Sequence, residues 1–288
     1  MKNNEIDTNN ISESDGIDES CIKNPTYLMD DTLFQFILNE IPEFKEYITG
    51  FDDLGEKLDG NLITPDMRKK ILDSLFRRLN NEYVNIEHQT SLNTEAWIKC
   101  LLYYALLENR YGGSIRQFIF YTGELTHIQY YSFKDFNVDF NPYLNILPLK
   151  SGKKVLKRVH DKLDHDQILS PVDIIELIWL VRFDNDDRDK IDILKEILAI
   201  IPRLKYPTKY IHILQYSTAF WLKKFINKKE DNKILEKEMA HMNLRNPTVD
   251  DVMLVAKFDN MLASKNAEIK EQADKIKELE KKLEKIQG

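Results

Sequence analysis

Two acidic residues lie in otherwise apolar runs of the sequence, where packing in a hydrophobic core does not explain them. Asp73 lies in the run 71–76, and Glu87 follows fourteen residues later in the run 83–89. The turn-like segment 79–82 between the two runs predicts an antiparallel hairpin. If the two carboxylates converge, their like charges repel unless a cation lies between them. Oxygen ligands of this kind suit Mg²⁺ or Mn²⁺, and such a site can direct water against a phosphodiester.

The second run of this hairpin has a polar face and an apolar face. Successive side chains of a strand point to opposite sides, so Asn85, Glu87 and Gln89 share one face. The opposite face carries Val84, Ile86 and His88. Gln89 is therefore predicted to stand beside Glu87 at the site.

Length and composition limit the classes of protein. The chain has 288 residues, 42% of them hydrophobic and 31% charged, which predicts one or two globular domains. No apolar run approaches the roughly 18 to 20 residues that span a bilayer, and residues 1–22 are too polar for a signal peptide. Cys21 and Cys100 make neither a disulfide framework nor a thiolate zinc cluster. We therefore expect a cytoplasmic protein without membrane partners.

The net charge of −7 argues against a protein that coats nucleic acid generally. It does not exclude a nuclease, whose basic surface can be local. The sequence also has no phosphate-binding P-loop, no dinucleotide fingerprint and no serine-hydrolase motif.

The first half of the chain predicts an α/β arrangement, with a small mixed sheet flanked by helices. The order of elements is helix, hairpin, helix, hairpin. The first helix is expected to begin at a cap formed by Asp30, Asp31 and Thr32, residues 51–66 to be irregular, the second helix to cover 93–110, and the second hairpin to pair 117–121 with 127–133.

The second half predicts helices alone. Helical periods cover 152–163, 170–183, 187–201, 207–227 and 229–242, and a last helix is capped at 248–251. About three heptads then place Leu262, Ile269, Ile276 and Leu283 on one seam, which predicts a C-terminal coiled coil and a homodimer. The expected divisions are a disordered acidic tail (1–26), the α/β core (27–149), a helical region (150–247) and the helix with its coiled coil (248–288).

Three stretches together resemble the nuclease core of the PD-(D/E)XK superfamily. They are residues 29–34, Asp73 with residues 87–89, and residues 97–104. The likeness is greatest to the Rpn branch of recombination-promoting nucleases and putative transposases. The resemblance implies a restriction-endonuclease-like core and a Mg²⁺- or Mn²⁺-dependent DNA endonuclease.

Carried over by position, the resemblance implies that Asp73 and Glu87 are metal ligands and catalytic residues. Gln89 takes the place of the superfamily's usual lysine, as it commonly does in the Rpn branch. A lysine supplies positive charge beside the attacking water and the scissile phosphate. Gln89 can form hydrogen bonds but cannot supply charge.

Other residues have both a functional and an ordinary interpretation. Glu40 or Glu43 of the first helix could add a third carboxylate, although a solvated helix face is favoured. Lys99 could replace the missing charge, or it is a surface lysine. The histidines at 160 and 165 are more consistent with a solvated helix end than with a metal cluster. Basic residues flanking Asp73 could hold DNA phosphates or simply be solvated: Arg68, Lys69, Lys70, Arg77 and Arg78.

The sequence thus leads to one function and leaves one alternative open. The leading prediction is a metal-dependent DNA endonuclease of the recombination-promoting type. The alternative is a catalytically inactive, nuclease-derived module for DNA binding or coiled-coil assembly, motivated by Gln89 and the acidic net charge.

Overall fold

The computed structural model describes residues 25–63, 69–129, 140–205, 208–225 and Ala267. In this part of the chain, none of the helices combines the length and apolar character needed to cross a bilayer. The predicted helix 229–242 and the coiled coil lie outside the described residues.

The described strands form a mixed five-stranded sheet and a separate two-stranded sheet. The large sheet has the order β1-β4-β5-β6-β7, and β2 pairs with β3. The strands are β1 (Leu54–Leu58), β2 (Asn61–Ile63), β3 (Lys69–Ile71), β4 (Ser74–Arg78), β5 (Tyr83–Gln89), β6 (Ile115–Tyr121) and β7 (Tyr143–Ile146). Strand β4 is antiparallel to β1 and β5, whereas β5, β6 and β7 are parallel.

Helices flank the large sheet, which confirms the predicted α/β class. They are α1 (Pro25–Glu40), α2 (Glu43–Thr49), α3 (Thr94–Tyr111), α4 (Gly152–Asp164), α5 (Pro171–Trp179), α6 (Lys190–Ile200) and α7 (Thr208–Phe225). Short 3₁₀ turns extend several of the connections, at Leu125–His127, Leu147–Leu149, Leu180–Arg182 and Ile201–Arg203.

The hairpin that carries the two acids is confirmed. Ser74 pairs with Ile86 and Phe76 with Val84, in antiparallel register. The turn between β4 and β5 includes Asn81 with φ of 65°, a left-handed conformation that asparagine tolerates better than most residues.

Helix α3 is also confirmed, because both of its ends carry local signals. The side chain of Asn93 accepts a hydrogen bond from the Ala96 amide at 2.9 Å. At the other end Gly112 adopts φ of 59°, and its amide donates to the Glu108 carbonyl. The helix provides the crossover that the parallel pair β5 and β6 requires.

Two expectations about the first half were wrong. The predicted second hairpin does not form, because β6 pairs with β7 in parallel and His127 lies in a 3₁₀ turn; residues 130–133 are outside the described residues. The region 51–66 is not wholly irregular, since it contains β1 and β2. Strand β1 has little hydrophobic signal, and a Cβ at Gly55 would approach the Arg77 carbonyl oxygen to 2.9 Å.

The predicted cap of the first helix was wrong as well. Asp30, Asp31 and Thr32 lie inside α1, which begins at Pro25. Asp30 is buried and forms ion pairs with Arg182 and Lys224, so its charge serves a tertiary contact instead of a helix end.

In the second half, the expected helices are observed through residue 225. Helix α5 begins with a capping box in which the Ser170 hydroxyl accepts from the Asp173 amide and the Asp173 carboxylate accepts from the Ser170 amide. Helix α6 begins after an Asp189 cap. The proposed division of the chain into domains stays a prediction.

Two layers of helix enclose the sheet. Helix α3 covers one face through two small apolar clusters. Helices α1 and α2 contact the other face, and α5 and α7 pack behind them in the main hydrophobic core. This arrangement leaves the carboxyl ends of β5 and β6 as the edge where the two acids meet.

Candidate functional site

The fold brings Asp73 and Glu87 together at one edge of the sheet. Asp73 immediately precedes β4, and Glu87 lies near the carboxyl end of β5, which is antiparallel to β4 and parallel to β6. The Asp73 amide donates to Glu87 Oε1 at 3.3 Å, and the His88 amide donates to Asp73 Oδ2 at 2.8 Å. Crevices at the carboxyl ends of parallel strands are the usual ligand sites of open α/β sheets.

Burial and mutual repulsion disfavour the charged forms of both acids. Glu87 is completely buried, and Asp73 is partly buried. Burial raises the pKa of Glu87 well above its usual value, and the nearby Asp73 charge raises it further. Burial also raises the pKa of Asp73, with an added contribution from Asp31. Such a pair gains most from a neighbouring positive charge.

Asp31 of helix α1 is a third acid near the site, and sequence reasoning missed it. Its Oδ1 lies 3.6 Å from His88 Nδ1, and the His88 ring stacks on Phe34 with centroids 5.1 Å apart. Asp31 was assigned to a helix cap. Its spacing of three residues from Phe34, on the apolar stripe of α1, was the signal that it faces the sheet.

Lys99 of helix α3 supplies positive charge to the pair. Its Nζ lies 3.9 Å from Glu87 Oε2. Burial alone would lower the pKa of the Lys99 ammonium, but the charges of Glu87 and Asp73 outweigh burial and raise it. Lys99 therefore carries its charge beside Glu87 at neutral pH. Lys99 thus lies where the sequence analysis expected it to supply the positive charge that Gln89 cannot.

Gln89 ends strand β5 on the face that carries Glu87. Its side chain is largely buried, with 5% exposed, and its carbonyl accepts from the Thr122 amide at 3.0 Å. Gln89 is thus held at the same edge of the sheet as the two acids.

The acids predicted as auxiliary ligands have other partners. Glu40 Oε2 lies 3.3 Å from Lys209 Nζ, and the Tyr210 hydroxyl donates to Glu43 at 2.9 Å. Both contacts join the junction between α1 and α2 to helix α7. The acid of α1 that acts on Asp73 is Asp31.

The basic residues predicted to contact DNA are distributed unevenly. Arg78 forms ion pairs with Asp53 and Glu82, and the Arg77 guanidinium donates to Asn81. Both arginines lie at the turn end of the hairpin, roughly 15 Å along the strand from Asp73.

The other basic residues precede Asp73 in the chain. Lys69 and Lys70 belong to β3, and Arg68 lies outside the described residues.

The two histidines near the end of α4 have separate partners. His160 Nε2 lies 3.0 Å from Glu196 Oε1, whereas His165 Nδ1 contacts the Asp161 carbonyl. In the described ranges, no three His, Cys, Asp or Glu side chains are grouped closely enough to hold a metal ion.

The donor set at Asp73 and Glu87 nevertheless suits a hard divalent cation. Glu87 Oε2 is buried and has no hydrogen-bond partner among the described residues. Mg²⁺ commonly uses only one or two protein carboxylates and keeps several waters. A two-carboxylate site with Asp31 beside it is therefore compatible with Mg²⁺.

Comparison with known proteins gives no further assignment, because no family model, no curated protein and no solved structure matches this chain.

Proposed function

We propose that this protein is a Mg²⁺- or Mn²⁺-dependent DNA endonuclease of the Rpn type, with a restriction-endonuclease-like core. The observation that carries the proposal is the meeting of Asp73 and Glu87, joined by a hydrogen bond at the carboxyl edge of parallel strands. A buried pair of carboxyl groups that repel each other destabilises the fold, and a purely structural hairpin gains nothing from such a pair.

In this proposal Asp73 and Glu87 would hold the metal, which when bound polarises the scissile phosphate and activates a water. Lys99 places positive charge beside the two acids and so compensates for Gln89 at the usual lysine position. Gln89 offers hydrogen bonds that can orient the attacking water. Asp31 and His88 hold the helix α1 side of the site.

For the DNA backbone, Arg68, Lys69 and Lys70 remain the proposed phosphate contacts because they lead into Asp73. Arg78 is a weaker candidate, because its guanidinium is already used by Asp53 and Glu82. Arg77 belongs to the same distant end of the hairpin.

The decisive experiment is plasmid nicking in the presence of Mg²⁺. Asp73→Asn and Glu87→Gln should each abolish metal-dependent nicking while leaving the circular dichroism spectrum unchanged. Glu56→Gln is the matched control, since Glu56 is an exposed acid on the edge strand β1. Full nicking activity in either site variant would refute the assignment.

A second candidate function is favoured by one contact. The Lys99 ammonium can neutralise Glu87 without any metal, as it would in an inactive module that binds DNA. Calorimetric titration with Mn²⁺ separates the two. A protein that binds no Mn²⁺ but has salt-sensitive DNA affinity is the inactive module.

The proposed assembly is a cytoplasmic homodimer formed by the C-terminal heptads. Sedimentation of the full chain and of a chain truncated at residue 262 tests it. If both chains sediment as monomers, the coiled coil does not mediate dimerisation.

A further inference from the structure

A polar layer interrupts the apolar contact between the sheet and helix α3. On one side lie Leu75 and Tyr103, and on the other lie Ile119 and Trp97. The polar layer between these clusters consists of Asn85, Glu87 and Gln117. Asn85 and Gln117 are direct neighbours on β5 and β6, and Glu87 follows Asn85 on the same face.

The polar layer is buried but its hydrogen bonds are incomplete. Asn85 and Glu87 are fully buried, and Gln117 is only 3% exposed. Four of their atoms have no nitrogen or oxygen hydrogen-bond partner among the described residues, namely Asn85 Oδ1, Glu87 Oε2, Gln117 Oε1 and Gln117 Nε2. Buried polar atoms are nearly always paired with protein or ordered water, so these four require a partner.

The arrangement leaves the Glu87 carboxylate held on one side only. Its Oε1 accepts from the Asn85 side-chain amide at 3.2 Å and from the Asp73 amide at 3.3 Å. Its Oε2 has the Lys99 ammonium at 3.9 Å, beyond direct hydrogen-bond distance. Cys100 and Tyr103 of α3 also lie near this region, and both interact electrostatically with Glu87. The Cys100 sulfur is in addition a weak hydrogen-bond partner of the Gln117 side chain.

Water can satisfy these buried atoms. Three of the four atoms are acceptors and one is a donor, and a water molecule can donate two hydrogen bonds and accept two. Asn85, Glu87 and Gln117 are themselves buried between the two apolar clusters.

We propose that the polar layer is a binding site for ordered water, which bridges Gln117 and Asn85 to Glu87 Oε2. Gln117 is then a positioning residue that acts on the Glu87 carboxylate through water. This second step rests on the proposed function, because it treats Glu87 as a metal ligand. Groups that orient a metal ligand in this way change metal affinity about 10- to 100-fold when they are removed.

The water site is tested first on the full chain without metal. In nuclear magnetic resonance, the side-chain amide of Gln117 should show a cross-relaxation signal to a long-lived water. Through-bond assignment in the wild-type protein avoids dependence on any variant. An assigned Gln117 amide with no water signal, beside a detectable signal at an exposed amide, overturns the proposal.

The positioning role is tested by Mn²⁺ titration of two matched variants. Gln117→Met keeps the side-chain length but removes the amide, and it should weaken Mn²⁺ binding about tenfold. Ile119→Met changes a buried apolar residue of the same strand face and should leave binding unchanged. Unchanged affinity in Gln117→Met overturns the positioning role. A water signal in a protein that binds no Mn²⁺ instead supports the water site and refutes the proposed metal centre.

Discussion

At the scale of single residues, the site is defined by acids that are held together against their repulsion. The hairpin places Asp73 beside Glu87, and backbone amides on each arm donate to the carboxylate of the other arm. Lys99 approaches from the covering helix. The protein therefore stabilises a pair of carboxyl groups whose charged forms both suffer from burial.

This arrangement predicts an unusual dependence of stability on pH. The pKa of Glu87 is raised in the folded state, so the folded protein keeps its proton to higher pH than the unfolded chain does. The unfolded state then binds fewer protons, and the free energy of unfolding falls as pH rises from about 4.5 through the raised pKa. Urea denaturation of the metal-free protein at several pH values measures this slope.

The control for this slope is Glu87→Gln, which removes the titrating group. The variant should be less sensitive to pH over the same range, and it should be more stable than the wild type near neutral pH. Added Mn²⁺ should also reduce the wild-type slope, because the ion favours the charged pair. Identical slopes for wild type and variant would contradict the interpretation.

Lys99 provides a second residue-scale prediction. Lys99→Met should reduce the rate of metal-dependent nicking by about 10²- to 10³-fold, as removal of other electrostatic stabilisers does. Lys99→Arg should retain more activity because it keeps the charge. Lys153→Met, which alters an exposed lysine of α4, is the control. A Lys99→Met variant with the single-turnover nicking rate of the wild type would exclude a role for this ammonium in the proposed reaction.

The convergence of the two acids could be predicted because it depends on local rules. Strand alternation and a short turn were sufficient to place Asp73 near Glu87. The partners of Arg78 and the role of Asp31 could not be predicted in this way. They depend on elements that are distant in sequence, and the pair Asp30 and Asp31 also imitates a helix cap.

At the scale of elements, capping residues and hydrophobic periodicity identified those helices whose ends are determined by local sequence. Helix α3 and helix α5 have side-chain caps at their first turns, and both were predicted. Strands β1 and β7 were missed, because each is a short edge strand without a buried alternating pattern. The parallel pairing of β6 with β7 is a tertiary choice that no local signal encodes.

The contact of helix α1 with helix α7 gives a prediction about stability. Asp30→Asn should destabilise the protein by about 3 to 5 kcal/mol, because it leaves the largely buried Arg182 and Lys224 without their carboxylate. Burial, together with the neighbouring Arg182, already lowers the pKa of Lys224 to about 8. Urea denaturation at neutral pH measures the change.

Asp53→Asn is the matched control for that substitution. Asp53 pairs with Arg78 at a more exposed position, so its loss should change stability by no more than about 1 kcal/mol. Equal effects of the two substitutions would mean that the buried ion pairs do not hold α1 to α7.

At the scale of the whole molecule, the sheet and the later helices share one hydrophobic core. The Trp179 ring of α5 packs on Phe120 of β6 with centroids 5.1 Å apart, and on Phe44 of α2 at 6.2 Å. Trp221 of α7 adds a further contact to Trp179 at 5.7 Å. The described residues before and after position 150 are therefore joined by contacts through the centre of the protein.

This shared core predicts that the sheet and the helices unfold together. Trp221→Ala should destabilise the protein by about 3 to 5 kcal/mol, since Trp221 is completely buried. Two tryptophans remain in the variant, Trp97 of α3 in the cluster between α3 and the sheet, and Trp179 in the main core. Denaturation followed by their fluorescence and by helical ellipticity should give coincident transitions. Ile98→Ala, at an exposed position of α3, should have a small effect. Two separated transitions in the variant would show that the core is divided energetically near residue 150, despite the contacts made by Trp179.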